Sequence, residues 1–307
     1  MFSVPMISVL MPAYNAEKFI GAAITSVLNQ TFKDFELCIL NDGSTDRTAE
    51  IIDQFNDPRI IKIHQSQNSG LVSVRNTLIA LARGKYIAYL DNDDVAFPDR
   101  LAKQYAFLEA DKADICSGDY ETFNEETGEK KLSKVRYSDA DIKALITVYC
   151  PLCNPAVMGR AEIFKKFPYI VGNDHAEDYS LWQEIALAGY RFANLRDKLI
   201  IYRIHPKQIS RLALESASLI FDRCRTSYIS GLGISPDLTP KKMYFYERLQ
   251  KAPQFLLEIS RRFRGVSFSA NCQIYSRFQH RRNGILTPFT RFERFLFSGI
   301  ATLLGKF

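Results

Sequence analysis

Residues 7–46 read ISVLMPAYNAEKFIGAAITSVLNQTFKDFELCILNDGSTD. Ile7 to Met11 is an apolar run ended by Pro12, the pattern of a short buried strand. Phe19, Ile20, Ala23, Ile24, Val27 and Leu28 then recur at helical spacing. Phe35 to Leu40 is a second apolar run. Asn41-Asp42-Gly43-Ser44 turns the chain, and Ser44, Thr45 or Asp46 can cap a helix carrying Ile51, Ile52 and Phe55. The pattern continues outward. Ile60 to Ile63 is a third strand. Ser69-Gly70 opens a helix with Leu71, Val74, Leu78 and Leu81 on one stripe, Gly84 ends it, and Tyr86 to Leu90 is a fourth strand. Strands alternating with helices predict βαβ units around a mostly parallel sheet. In such sheets ligands bind beyond the carboxyl ends of the strands. Chemistry is therefore expected at Pro12 to Asn15, Asn41 to Ser44 and Asp91 to Asp94.

Beyond residue 110 the pattern loosens. Residues 124–134 read as a polar hairpin or loop. A helix is predicted over residues 177–188 with Gly189 as its stop, and a late strand over residues 199–203. From about residue 211 the chain reads mainly helical, with breaks at Pro236, Pro240, Pro253 and Pro288. No internal repeat or low-complexity tract is visible.

The 307 residues are 47% hydrophobic and 24% charged, an ordinary globular profile that excludes a disordered or collagen-like chain. Six cysteines are too few for a disulfide scaffold. Cys150 and Cys153 form one C-x-x-C without a second pair at zinc spacing, so reduced thiols are expected. Met1 to Pro5 lacks the basic segment of a leader, and no window holds the ~18 apolar residues of a spanning helix. The net charge of +6 conceals an asymmetry: residues 211–307 hold 16 Lys+Arg against 6 Asp+Glu.

Several side chains carry chemical meaning. In Asp91-Asn92-Asp93-Asp94, residues two apart on an extended segment face the same way, so Asp91 and Asp93 can converge on a hard divalent cation. A solvated acidic turn before Pro98 is the plainer alternative. Arg75 lies along the apolar stripe between Leu71 and Leu78, and an inward cation needs an anionic partner, either a diphosphate or the acidic run. Asp42 can accept from a ring N–H or simply cap a turn. Glu177-Asp178 opens a helix. Asp174 and Glu177 have capping-box spacing, and a general base facing a cleft is the functional reading. His205 follows a strand and can be a metal ligand, a phosphate contact or neither.

Taken together these residues resemble glycosyltransferase family 2 proteins of the GT-A fold. Residues 7–46 carry the start of the resemblance. Asn68-Ser69-Gly70 with Arg75-Asn76, Leu90 to Asp94, Asn154-Pro155, Glu177 to Trp182 and Tyr202 to His205 follow in the family's order. The resemblance spans roughly residues 5–210. It implies a GT-A, Rossmann-like, mostly parallel sheet flanked by helices, with a mainly helical C-terminal extension. It implies inverting transfer of a sugar from a nucleotide-sugar, UDP favoured, to an acceptor hydroxyl. It divides the chain into a glycosyltransferase domain at 1–210, with its nucleotide half at about 1–100 and its acceptor half at about 101–210, and a C-terminal region at 211–307. By resemblance, Pro12, Ala13, Tyr14 and Glu17 line the nucleoside pocket and Asp42 meets the base. Asn68, Asn92 and Arg75 belong to the nucleotide site, with Arg75 near the base or diphosphate. Asp91 and Asp93 form the D-x-D that binds Mn²⁺ or Mg²⁺. Asp178 is the catalytic base with Glu177 beside it, and His205 lies near the diphosphate.

From residue 241 onward 13 Lys+Arg face 3 Asp+Glu among many Phe and Tyr. Such a surface fits an anionic membrane interface, and equally a helical extension with buried aromatics. No nucleic-acid motif accompanies it. The expected setting is the cytoplasmic side of a bacterial membrane, in surface-polysaccharide or lipopolysaccharide synthesis on a glycan or lipid-linked glycan acceptor. Transfer to a polyprenyl phosphate, a non-catalytic binding relative and a nucleotidyltransferase are the alternatives.

Overall fold

The computed structural model describes residues 4–206, 208, 214–238, 245–276 and 296–303. Its sheet contains β1 (Ile7–Ala13), β2 (Phe35–Asp42), β3 (Ile60–Gln65), β4 (Tyr86–Tyr89), β5 (Val95–Ala96), β6 (Ile115–Asn124), β7 (Lys130–Ser133), β8 (Met158–Arg160) and β9 (Phe192–Ile204). They run in the order β3-β2-β1-β4-β8-β6-β9-β5, with β7 paired to β6. β1 pairs parallel with both β2 and β4, and β2 with β3. Every residue of β1 and β2 is buried, as befits strands covered on both faces.

Side-chain alternation splits the core in two. Ile7, Val9 and Met11 pack with Ile20 and Ile24 of α1 (Ile20–Leu28). Leu10 faces Val74 and Leu78 of α3 (Leu71–Leu81) on the other side. The short α2 (Thr48–Asp53) follows β2, and α4 (Arg100–Glu109) follows β5. Then come α5 (Asp139–Ile146), α6 (Ala161–Lys166) and α7 (Glu177–Leu187). The C-terminal part supplies α8 (Leu214–Gly231), α9 (Phe245–Arg262) and α10 (Phe268–Ser276), and residues 296–303 are helical.

These C-terminal helices share a core with α7. Cys224, Tyr228, Phe255, Ile259 and Ile274 belong to the same buried cluster as Tyr179 and Trp182. The 210/211 boundary lies outside the described residues, as do Pro240 and Pro288. No described helix is long and apolar enough to cross a membrane.

Several expectations are corrected. The strand expected at 199–203 starts at Phe192. Its pairing with β6 slips between Gly118↔Leu195 and Asp119↔Lys198, so Arg196 and Asp197 bulge out and hide the strand's first half in the sequence. Pro253 does not break α9, because Ala252, Phe255, Leu256 and Ile259 bury one stripe around it. α3 ends at Leu81, before Gly84. A Cβ at Gly84 would stand 2.6 Å from the Ser8 backbone nitrogen, so this glycine serves a close approach to β1.

Candidate active site

A cleft of about 1240 Å³ opens where β1 and β4 end and where α7 begins. One wall comes from the segments after β1 and β2, which are stitched together. Asn15 takes a left-handed conformation, φ 47°, that Asn tolerates better than most residues. Its Oδ1 accepts from the Thr45 N–H at 2.9 Å, and its own N–H donates to Ser44 Oγ at 2.9 Å. The Glu17 N–H donates to Asp46 Oδ2 at 3.1 Å, while Glu17 Oε2 accepts from the Arg47 N–H at 3.2 Å. The Thr48 N–H donates to Asp46 Oδ1 at 2.9 Å and its Oγ1 accepts from the Ala16 N–H at 2.7 Å. Pro12, Tyr14 and Glu17 line the cleft on this side.

Ala13, Asp42 and Asn68 do not line it. Ala13 is buried within β1. Asp42 is also buried, and its own chain uses both oxygens. Oδ1 accepts from Ser69 N–H and Oγ at 2.8 and 2.9 Å, and Oδ2 from the Gly70 N–H at 3.0 Å. Asp42 thus ties β2 to the start of α3. Asn68 Oδ1 accepts from that same Gly70 N–H at 3.1 Å. Gly43 is required beside it: at φ 65°, a Cβ there would sit 2.6 Å from the Gln67 carbonyl carbon.

The facing wall is built from charge. After β4 the acidic run is a turn rather than an extended segment, closed by the Asp94 N–H on the Asp91 carbonyl at 3.2 Å. Asp91 and Asp93 therefore meet different partners. Asp93 Oδ2 lies 3.0 Å from His205 Nε2, whose ring packs against Phe19 at 4.8 Å. Asp91 Oδ1 lies 3.5 Å from Arg75. Asn92 donates to the Pro12 carbonyl at 2.9 Å, binding this turn to the end of β1. Asp94 is buried and holds the Arg203 N–H at 2.9 Å.

Arg75 faces inward, as its place on the α3 stripe predicts. It is 5% exposed, bonded to Glu177 Oε1 at 2.7 Å and positioned over the Tyr169 ring at 5.3 Å. Its ion pair to Glu177 crosses from α3 to the first turn of α7. No capping box forms there: Ala176, whose methyl cannot accept a hydrogen bond, occupies the cap position, and Glu177 bonds to Arg75. Asp178 projects into the cleft from the same turn. Its Oδ1 accepts from the Tyr179 N–H at 2.7 Å, and the Cys150 thiol donates to Oδ2 at 3.8 Å. Burial, with Glu177 adjacent, lifts the Asp178 carboxyl to about 6 against the pull of Arg75. Burial likewise lifts Asp91 to about 6.

Among the described residues no three His, Cys, Asp or Glu side chains gather as a self-sufficient metal cage. The pair Asp93–His205 fits a divalent cation that draws its other ligands from substrate phosphates. Its 3.0 Å separation suits adjacent ligands around an octahedral ion with bonds of ~2.1 Å.

The structure adds residues that sequence reasoning missed. Cys150 and Asn154 line the cleft, and so do Phe221 and Asp222 of α8, a helix assigned from sequence to a separate C-terminal region. Only the Cys-x-x-C and the Asn154-Pro155 landmark offered any signal, and neither pointed to a role. All six cysteines are free thiols.

Known proteins resemble this arrangement. The Glycosyl transferase family 2 profile matches residues 8–167. An Escherichia coli protein named UDP-Glc:alpha-D-GlcNAc-diphosphoundecaprenol beta-1,3-glucosyltransferase WfaP is 31% identical over 208 residues, 67% of this chain and 80% of that one. The crystal structure of S. aureus TarS 1–349 with UDP-GlcNAc superposes with a TM-score of 0.63 at 17% identity, covering 98% of this chain and 89% of that one. The mannosyltransferase PcManGT of Pyrobaculum calidifontis, solved with GDP-Man and Mn²⁺, gives a TM-score of 0.56 at 14% identity and covers 99% and 89%.

Proposed function

The chain belongs to glycosyl transferase family 2 and is a glycosyltransferase, and from that premise we propose that it is an inverting, divalent-cation-dependent enzyme using a UDP-sugar. The acceptor in this reading is a hydroxyl of a lipid-linked glycan, in bacterial surface-polysaccharide synthesis. The observation that carries it is the Asp178 carboxylate. It stands in the cleft, raised to about 6, with one oxygen reached only by a thiol.

At neutral pH Asp178 is ionised and takes the proton from the acceptor hydroxyl. The acceptor oxygen bonds to the anomeric carbon as the bond to the diphosphate breaks on the opposite face. One displacement with one base inverts the centre. Glu177 and Arg75 hold the turn that aims Asp178. Asp93 and His205 would hold the cation, with Asp91, two residues before Asp93, paired to Arg75. A bound cation neutralises charge growing on the leaving diphosphate. The stitched wall at Pro12, Tyr14 and Glu17 presents a preformed surface for the nucleoside. Asp42 and Asn68 support that wall from behind, and Ala13 supports it from within β1.

The donor choice draws on WfaP, whose name states a UDP-Glc donor and a diphosphoundecaprenol-linked acceptor, and on TarS, solved with UDP-GlcNAc. The cation draws on the Mn²⁺ of PcManGT. We assign the nucleotide half to about 1–100, the acceptor half to about 101–210 and a docking region to 211–307. Leu296, Ile300 and Leu303 are exposed along one face of the last helical segment, with Phe268 also exposed. That face, in a strongly basic region, suits an anionic membrane surface. Retention on phosphatidylglycerol vesicles and release by high salt test this.

The deciding measurement is nucleoside-diphosphate release from UDP-, GDP- and TDP-sugars, with Mn²⁺ or EDTA, for wild type and Asp93→Asn. Slow metal-dependent hydrolysis of a UDP-sugar, lost in the variant, is the expected result. Equal release in EDTA overturns the cation's role.

A further inference from the structure

Asn154 carries an unexplained amide. It is 7% exposed, it lines the cleft, and neither its Oδ1 nor its Nδ2 has a hydrogen-bond partner. Burying a primary amide without partners is costly, and native proteins rarely do so without a reason. Several backbone groups around it are engaged. The Cys153 carbonyl accepts from Ser117 Oγ at 3.1 Å and from the Ala156 N–H at 2.9 Å. The Asn154 carbonyl accepts from the Val157 N–H at 3.0 Å, and the Ala156 carbonyl from Gln104 Nε2 at 2.9 Å. These bonds hold the turn, while the side-chain amide has no partner.

The chemistry of that partner is constrained. An amide needs an acceptor for its N–H groups and a donor for its oxygen. A phosphate accepts only and leaves Oδ1 bare, while a cation leaves the N–H groups bare. A sugar ring offers hydroxyls that both donate and accept. The position agrees. Cys150, in the same loop, lies 3.8 Å from Asp178. Asn154 lines the same cleft as Asp91, Asp93 and Asp178. Building on the glycosyltransferase reading, we infer that Asn154 binds ring hydroxyls of a sugar substrate and so helps determine which sugar is accepted. The sugar is either the donor hexose or the acceptor residue.

The test uses the full chain with Asn154→Leu, which removes the polar atoms at similar volume, and Asn154→Asp, which keeps the shape and an acceptor. Calorimetry with UDP, UDP-glucose and UDP-N-acetylglucosamine in Mn²⁺ reads the donor arm. KM for a diphosphate-lipid-linked N-acetylglucosamine reads the acceptor arm. We expect Asn154→Leu to keep UDP affinity and an unchanged or higher Tm, since an unpartnered amide is gone. One sugar-dependent constant then weakens by about 10- to 100-fold. Weaker UDP-sugar binding identifies the donor hexose, and a raised acceptor KM alone identifies the acceptor. Asn154→Asp should lose less than Asn154→Leu. Unchanged constants in both arms with a raised Tm overturn the inference and leave a buried amide with no ligand. Failure of the underlying reading looks different, because wild type then binds no nucleotide.

Discussion

The two walls of the cleft treat their polar groups in opposite ways. The wall after β1 and β2 spends them on itself. Asn15 and Glu17 bond to the segment from Ser44 to Arg47, and Asp42 closes on Ser69 and Gly70. The wall formed by the acidic turn, the loop around Cys150 and Asn154, and the start of α7 leaves groups in tension. Two carboxyls there are pushed to about 6, and an amide has no partner. The first wall is a frame that needs no ligand to hold its shape. The second is set up for chemistry, at a cost to stability.

The strongest way to break this contrast is to cut the buried ion pair on the second wall. Arg75→Met leaves Glu177 buried and uncompensated, and should cost about 3–5 kcal/mol in urea denaturation. Adding Glu177→Leu should recover most of that loss; no recovery would mean that Arg75 acts through Asp91 instead. Next comes Asp178→Asn, expected to cut turnover by ~100-fold or more, about 2.7 kcal/mol, without lowering Tm. In wild type the same group gives kcat/KM an acid limb near pH 6. A base works only when ionised, and the carboxyl is raised from 3.8 to about 6, so activity rises with pH through that range. Asp91 titrates in the same range, so the limb belongs to the pair. A limb near pH 4 would remove the burial argument.

On the first wall the effects should be on stability. Asp42→Ala strands the Ser69 and Gly70 donors and should cost about 1–3 kcal/mol, with turnover of the folded enzyme little changed. A turnover loss exceeding the stability loss would instead give Asp42 a direct part in nucleotide binding. The smallest change is Asn15→Ala. It loses the two bonds that Thr45 donates to Asn15 Oδ1 and a residue suited to φ 47°, for about 1 kcal/mol and a modest rise in nucleotide KM.

The same division explains what the sequence reveals. β1 to β4 are legible because each carries a run of apolar residues and the helices between them show apolar residues at helical spacing. β8 has three residues, too short to display a period, and β9 is masked by its own bulge at Arg196 and Asp197. In the site, Arg75 is legible because a cation on an apolar stripe must find an anion. Asp42 stands at a strand end, the right place for a ligand, and its bonds to the amides of Ser69 and Gly70 are announced by no sequence pattern. Asn154 shows in the sequence only as a family landmark with no role attached. Its meaning lies in burial and a missing partner, and both depend on segments far along the chain.

The spans of the cleft's contacts also bear on how the protein is made. Arg75 and Glu177 are 102 residues apart, and Asp93 and His205 are 112 apart. β1 to β4 all lie before Asp91 and can pair with one another as they leave the ribosome, β1 reaching β4 across the stretch from Ile7 to Tyr86. At about 5–20 residues per second, Arg75 then waits on the order of 5–20 s for its anion to be synthesised. For that interval the nascent chain carries a sheet with its reactive edge open, and the site closes last.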